Sequence, residues 1–389
     1  MQSTFTDPAI NQPYYTEQII TYIGNKRALL DFIYKGINLV QTELNQEKLS
    51  TLDVFSGSGI VSRFLKTYSS SIYTNDMERY ASIISQCYLS NPDKETLGAL
   101  KTYYEELRHK CSLAVQHYLD GEARFGSRLP GFISELYAPK DIEDIKSGER
   151  CFYTPYNACY IDCMRILISR LVPKELQHFF IAPLLSEASI HANTGGVFKG
   201  FYKNSKTGIG KFGGNGANAL TRITGHIDLP FPIFSANECP YTIFCQDANT
   251  LSKNADLPEV DLAYIDPPYN QHPYGSNYFM LNLIADYRRP VEENISRVSG
   301  IPKDWNRSLY NKKKEAVATF TDLAKKLRAK YLLISFNNEG FISQEEMLEI
   351  LNTIGKVTVL ESPYNAYRAS RNLSNRSIHV KEYLYVVKK

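Results

Sequence analysis

The sequence has no apolar run approaching the roughly 20 residues that cross a bilayer, so a helical membrane span is not expected. Its N-terminus, MQSTFTDPAINQPYY, has neither a cationic start nor an apolar stretch and carries Asp7, so no secretory leader is expected and the cytoplasm is the expected compartment. An excess of charge of either sign is also missing. The net charge is only +3, from 44 basic and 41 acidic side chains, so a polyanionic partner would have to be met by a local patch. Cysteine is sparse and odd in number at 7. The closest pair, Cys159 and Cys163, lies in an apolar helical pattern without histidines at zinc-ligand spacing, so buried, reduced thiols are expected and no metal. His191, His272 and His379 read as packing or surface residues. Internal repeats and low-complexity tracts are absent.

What is present is length and apolar content: 389 residues, 43% hydrophobic and 22% charged, enough for two lobes with substantial cores. Tyr22-Ile23-Gly24-Asn25-Lys26 reads as a loop feeding a helix, whose apolar face is Leu29, Ile33, Ile37, Val40 and Leu44. Thr51 to Phe55 reads as a buried strand, Ser56 to Gly59 as a small-residue turn, Ile60 to Lys66 as a helix, and Ser71 to Asn75 as a second strand ending at Asp76. This is the opening half of a doubly wound nucleotide-binding sheet.

The alternation then stops. From about Cys87 to Pro240 there are helical stretches (residues 101–117 and 157–171) and a Gly- and Asn-rich segment, which read as an insertion. Strands resume at residues 241–245, 260–265 and 330–336, separated by helical patterns at 277–287, 313–329 and 344–353, and residues 356–360 and 382–387 close the chain as strands. A mostly parallel sheet covered on both faces follows, with residues 1–86 and 241–389 forming a discontinuous catalytic domain and residues 87–240 an inserted one.

Chemistry is expected at Asp266-Pro267-Pro268-Tyr269, because ligands in open α/β sheets bind beyond the carboxyl ends of strands. The two prolines stiffen the loop and donate no N–H, leaving carbonyls as acceptors. A carboxylate and a carbonyl accepting both hydrogens of a planar amino group would draw it toward a geometry that can attack, and Tyr269 offers a ring for stacking an extruded base. A proline turn that merely ends a strand would look the same. Upstream, Asp53-Val54-Phe55-Ser56-Gly57-Ser58-Gly59 places two glycines where a cofactor could approach the backbone at a helix start, a motif that also occurs as a simple tight turn. Asp76 stands where ribose hydroxyls could be accepted, or where a helix cap would stand.

Tyr-Ile-Gly-Asn-Lys, Asp-Val-Phe-Ser-Gly-Ser-Gly, Asn75-Asp76 and Asp-Pro-Pro-Tyr, in that order, resemble the Dam-type, alpha-group adenine-specific DNA methyltransferases. Tyr274, Asn277 and Tyr278, then Ser335-Phe336-Asn337-Asn338-Glu339-Gly340, resemble members from restriction-modification systems. The resemblance implies a seven-stranded Rossmann-like sheet with the last strand antiparallel, S-adenosylmethionine as cofactor, and double-stranded DNA as substrate. It also implies a target-recognition role for the insertion and a cognate restriction endonuclease that acts separately. It places Tyr22, Gly24 and Lys26 beside the methionine end of the cofactor, and Asp53, Phe55, Gly57 and Gly59 around its amino-acid and ribose parts. Asp76 would hold the ribose, Asp247 would lie near the adenine, and Asp266, Pro267, Pro268 and Tyr269 would carry catalysis.

Candidate DNA contacts lie in two acid-free stretches. Between Glu187 and Asp228 stand Lys199, Lys203, Lys206, Lys211 and Arg222, interleaved with Phe198, Phe201, Tyr202 and Phe212; a solvated basic loop is the alternative. Between Ser362 and Lys381 stand Tyr364, Tyr367, Arg368, Arg371 and Arg376, which would equally suit a cationic surface hairpin. Methylation at cytosine carbon would need Pro-Cys in the catalytic loop, whereas the chain has only Cys239-Pro240. Cytosine amino-group enzymes more often carry Ser, and RNA adenine enzymes Asn, in place of Asp266. Those two activities, and a DNA-binding regulator with a dead cofactor fold, remain the alternatives to DNA adenine methylation.

Overall fold

The structure is a computed structural model that describes residues 13–120, 131–214, 219–365 and 379–389. Seven strands form one sheet: β1 (Leu49–Asp53), β2 (Ser69–Asn75), β3 (Tyr241–Phe244), β4 (Val260–Ile265), β5 (Ala329–Asn337), β6 (Lys356–Asn365) and β7 (His379–Lys388). Their order across the sheet is β3-β2-β1-β4-β5-β7-β6. β1 to β5 pair in parallel, and β7 lies antiparallel between β5 and β6. The expected sheet, with its last strand antiparallel, is the one observed.

Central β4 is buried at all 6 positions, as a parallel strand covered on both faces must be, which is why its sequence VDLAYI is nearly all apolar. One apolar cluster joins Ile33 and Ile37 of the helix Leu30–Leu44, Tyr264 of β4 and Leu384 of β7. It continues without a break into Leu107, Cys159 and Phe180 of residues 87–240, so the insertion packs its helices into the same core as the sheet. The expected start of the insertion falls within the helix Arg79–Leu89, which packs against the helix His178–Ile190. The opposite face is covered by the helices Lys313–Lys326 and Gln344–Asn352 through Phe320, Leu323, Met347 and Leu351.

Two local features differ from the sequence pattern. The helix expected over 277–287 is two, Tyr274–Asn277 and Phe279–Asp286, with Tyr278 between them at φ −124°. The ring of Tyr278 is fully buried and its hydroxyl accepts the Ile23 N–H at 2.7 Å, so the break serves a contact with the N-terminal loop. Secondly, β6 and β7 are each longer than the stretches read from periodicity, because they pair with one another over their whole length. Six of the seven cysteines are buried, and Cys245 is exposed. No helix among the described residues is long and apolar enough to cross a membrane.

Candidate active site

The strand order reverses between β1 and β4, where Asp53 registers against Tyr264, and a crevice opens beyond the carboxyl ends of strands at such a switch point. A cleft lies there, beyond the carboxyl ends of the central strands. It brings together residues far apart in sequence: Tyr22, Gly24, Phe55, Asp76, Asp247 and all of Asp266 to Tyr269.

The turn after β1 is held by backbone bonds, Ser56 N–H to the Asn75 carbonyl at 2.9 Å and Gly59 N–H to the Ser56 carbonyl at 2.8 Å. Gly57 and Gly59 adopt φ of +49° and +76°, the left-handed region that side chains avoid. Asp76 clamps this turn: one carboxylate oxygen accepts the Gly57 N–H at 2.8 Å and the other accepts the Glu78 N–H at 2.8 Å. Asp53 is buried behind the turn, accepts the Ser62 hydroxyl at 2.6 Å, and leaves its second oxygen without a hydrogen-bond partner. Asp247 caps the short helix Ala248–Leu251 by accepting the Asn249 and Thr250 N–H groups at 2.9 and 3.0 Å.

Burial raises the carboxyls of Asp53 to about 7, Asp76 to about 6 and Glu78 to about 7, against the hydrogen bonds they accept. Burial likewise pushes Asp266 up to about 6, with Lys26 opposing and Glu382 reinforcing the shift. Asp76, Glu78, Asp247 and Asp266 thus line one cleft, and excluding water strengthens the pull of their ionised forms on a positive ligand.

Lys26 is 3% exposed, and its ammonium lies 3.4 Å from Asp266 Oδ1 and 3.7 Å from Glu382 Oε2. Burial works against its charge, but Asp266, Tyr269 and Glu382 outweigh that and hold it protonated well above the usual lysine range. Lys26, expected at the methionine end of a cofactor, has its charge beside the Asp266 carboxylate. The ring of Tyr269 packs at a 59° tilt to Phe336, with centroids 5.4 Å apart, and lies 5.7 Å from the Lys26 ammonium. Two hydroxyls strap the N-terminal loop across the cleft, Tyr278 accepting from the Ile23 N–H and Tyr274 donating to the Ile23 carbonyl at 3.1 Å.

The basic stretch divides. Phe198 and Phe201 are buried against Phe152, so these aromatics pack the core. Lys199 and Lys206 are exposed, and Lys203 and Lys211 are half-buried, with Lys203 4.9 Å above the Phe201 ring. The Phe198 N–H donates to the Asn277 carbonyl at 2.7 Å, which ties this stretch to the segment after the tetrapeptide. Burial, and then the charge of Lys199, pull the His272 imidazole below its ordinary value. Arg222 is turned inward, its guanidinium donating to the carbonyls of Ile190, Ala192 and Thr194, so the exposed cations of the stretch do not include it. Arg368 and Arg371 lie outside the described residues.

Sequence reading missed Glu78, Asn306, Tyr310 and Glu382. Tyr310 lines the cleft edge-on to Phe55 at 5.3 Å, and the Asn306 amide donates to the Met77 carbonyl at 3.1 Å and to Glu78 at 3.2 Å. Only Glu78 had a local signal, two residues beyond Asp76.

A seven-stranded sheet of this order, with an acidic Pro-Pro-Tyr loop and a glycine turn sharing one cleft, defines an α/β enzyme of the methyltransferase class. The family described as "D12 class N6 adenine-specific DNA methyltransferase" matches residues 22–167 and 188–350, and the chain belongs to that family. It is 28% identical over 378 residues to "Type II methyltransferase M.NlaIII" of Neisseria lactamica, covering 95% of this chain and 99% of that one. It is also 28% identical to "Type II methyltransferase M.CviAII" of Paramecium bursaria Chlorella virus 1, over 95% of this chain and 98% of that one. "Modification methylase StsI" of Streptococcus sanguinis is 25% identical, over 92% of this chain and 50% of its own length. The protein is thus a member of the N6 adenine-specific DNA methyltransferases, which favours adenine methylation over the alternatives of cytosine, RNA and a dead regulator.

Proposed function

We propose that the protein transfers the methyl group of S-adenosylmethionine to N6 of an adenine extruded from double-stranded DNA, with Asp266 to Tyr269 as the catalytic residues. The observation that carries this reading is the meeting of the Asp266 loop with Phe55, at the head of the glycine turn, and with Asp76 at one acidic cleft. When bound, S-adenosylmethionine supplies a methyl carbon on a positively charged sulfur that departs with the bonding electron pair. The residues present suit such a ligand. A cluster of acids answers its cationic groups, and Phe55 with Tyr310 offers apolar walls for a ring. Tyr22, Gly24, Phe55, Asp76 and Asp247 would line its site, with Asp53 and Gly59 shaping the turn from behind.

The Asp266 carboxylate and the Pro267 carbonyl accept the two N–H groups of the target amine, which localises the nitrogen lone pair toward the methyl carbon. Tyr269 stacks on the base. As the N–C bond forms, the nitrogen acquires a positive charge and sheds a proton. A carboxyl raised to about 6 accepts that proton more readily than an ordinary aspartate would. A base inside a duplex cannot reach this depth, so the target must leave the stack. Residues 87–240 would hold the flanking DNA as the recognition part, with Lys199, Lys203, Lys206 and Lys211 on phosphates. A separate nuclease would share the recognition sequence.

Incubation with methyl-labelled S-adenosylmethionine and unmethylated duplex DNA, followed by nucleoside analysis, tests the reading. Label in N6-methyladenine is expected. Label in cytosine, or none, overturns it.

A further inference from the structure

Glu382 has no part in the reaction as derived so far, yet it is a buried carboxylate at the catalytic loop. Because β7 alone runs against the strands of the parallel block, its N-terminal end lies at the carboxyl edge of the sheet, with Glu382 in register with Asn337 at the end of β5. Alternation along the strand puts Glu382 on the side of Leu384, which packs in the same cluster as Tyr264. The residue is 2% exposed, and Oε2 accepts no hydrogen bond. A carboxylate oxygen without hydrogen bonds in such a place does little to hold the fold and is costly to bury. Its charge partner is the Lys26 ammonium at 3.7 Å, which lies 3.4 Å from Asp266 on its other side.

One cation thus stands between two acids and closes fully on neither. Both distances exceed the roughly 2.8 Å of a tight charge-assisted hydrogen bond. Were Asp266 the sole acid beside it, Lys26 would settle on that carboxylate and compete with the target amino group for its lone pairs. The other titratable groups facing this triad are Tyr269, Tyr264, Tyr274 and Asp53. Burial holds the protons of Tyr264 and Tyr274 well above the ordinary tyrosine range, Tyr269 meets Lys26 through its ring, and Asp53 acts on Asp266 and not on Lys26.

We propose that Glu382 is a positioning residue for methyl transfer: it holds the Lys26 ammonium off Asp266, so that the carboxylate keeps a neutralising neighbour while its lone pairs stay open to the amino group of the base. This rests on the reading of Asp266 as catalytic, and the experiment separates the two.

Steady-state methylation of duplex DNA is measured from pH 5 to 9 for the wild type, Glu382→Gln, Glu382→Asp, Lys26→Met, the double variant Lys26→Met with Glu382→Gln, and Asp266→Asn. In Glu382→Gln, kcat on the alkaline plateau should fall about tenfold, with KM for DNA and for S-adenosylmethionine within about twofold. The acidic limb of the kcat profile should move down by about one pH unit, because the charge that adds to burial in raising the Asp266 carboxyl is gone while Lys26 remains. Glu382→Asp should recover part of the rate. The double variant should be no slower than Lys26→Met alone, since Glu382 acts through Lys26. Rate losses that multiply in the double variant, or a Glu382→Gln profile with an unmoved acidic limb, would overturn the proposal. Asp266→Asn turning over at near wild-type rate would instead sink the catalytic assignment itself. Circular dichroism and thermal unfolding of each variant identify any that fails to fold, and Glu382→Asp, which keeps the charge, then carries the test.

Discussion

The ring of Tyr22 fills the space that a side chain on Gly57 would need: a Cβ there would lie 2.8 Å from the ring. Tyr22 is itself stacked on Tyr278 at 4.7 Å and on Tyr274 at 5.0 Å. The glycine turn, the N-terminal loop and the segment after the catalytic tetrapeptide therefore fit together as one packed unit.

Gly57→Ala should be costly on two counts, a side chain at φ +49° and a clash with Tyr22. The expected loss of stability is about 1–3 kcal/mol. Stabilisation by S-adenosylmethionine in a thermal-shift titration should weaken by at least about tenfold in concentration. Ala at a glycine with open space around it, such as Gly200, is the control and should leave the titration unchanged.

Methyl transfer should depend on pH through Asp266. The carboxylate accepts the amino hydrogens, and protonation turns it into a donor. With its carboxyl raised by burial to about 6, kcat should fall as pH drops through about 6 and level off above about 7. A rate that stays level down to pH 5 would show that the group titrates elsewhere. Asp266→Asn should lower kcat by about a hundredfold or more while retaining DNA affinity in a mobility-shift assay.

The acid cluster links stability to pH in a stated direction. The carboxyls of Asp53, Asp76 and Glu78 are raised in the folded protein to about 7, 6 and 7. Their contribution to stability is then full below the ordinary carboxyl range near 4 and is lost as pH rises from there through about 6 to 7. The ligand-free protein should lose Tm between pH 5 and 8, and Asp53→Asn should flatten that slope. A cationic ligand prefers the ionised acids, so S-adenosylmethionine should raise Tm more at pH 8 than at pH 5.5. Differential scanning calorimetry at fixed ionic strength reads both effects.

Replacing Lys199, Lys203 and Lys206 by Gln should weaken DNA binding and reduce the slope of log K against log salt by about 0.9 for every phosphate that is no longer neutralised. Arg222→Gln should differ in kind, because its guanidinium is spent on the carbonyls of Ile190, Ala192 and Thr194. It should lower Tm and leave the salt slope unchanged.

The sheet was legible in the sequence wherever one strand or helix carries its own signal. VDLAYI is apolar because both faces of β4 are covered, and the turn from Ser56 to Gly59 announces itself by small residues. The catalytic loop was legible because prolines after a strand are conspicuous. Interactions set by strand pairing were hidden. Glu382 reads as an ordinary residue of a late strand, and only the antiparallel placement of β7 carries it to Lys26. The aromatics at Phe198 and Phe201 misled for a related reason. In sequence they interleave with lysines, whereas in the fold they turn toward Phe152 and the lysines stay outside.

The place of β7 also orders events in time. Among the described strands β6 borders β7 alone, so while the chain is being made it has no strand partner until His379–Lys388 has emerged, and Glu382 is not in place before then. Every earlier element can be folded and the cleft still lack one wall of charge. A nick, a fusion or a frameshift within this last strand therefore strikes the chemistry of a loop more than a hundred residues upstream, at Asp266.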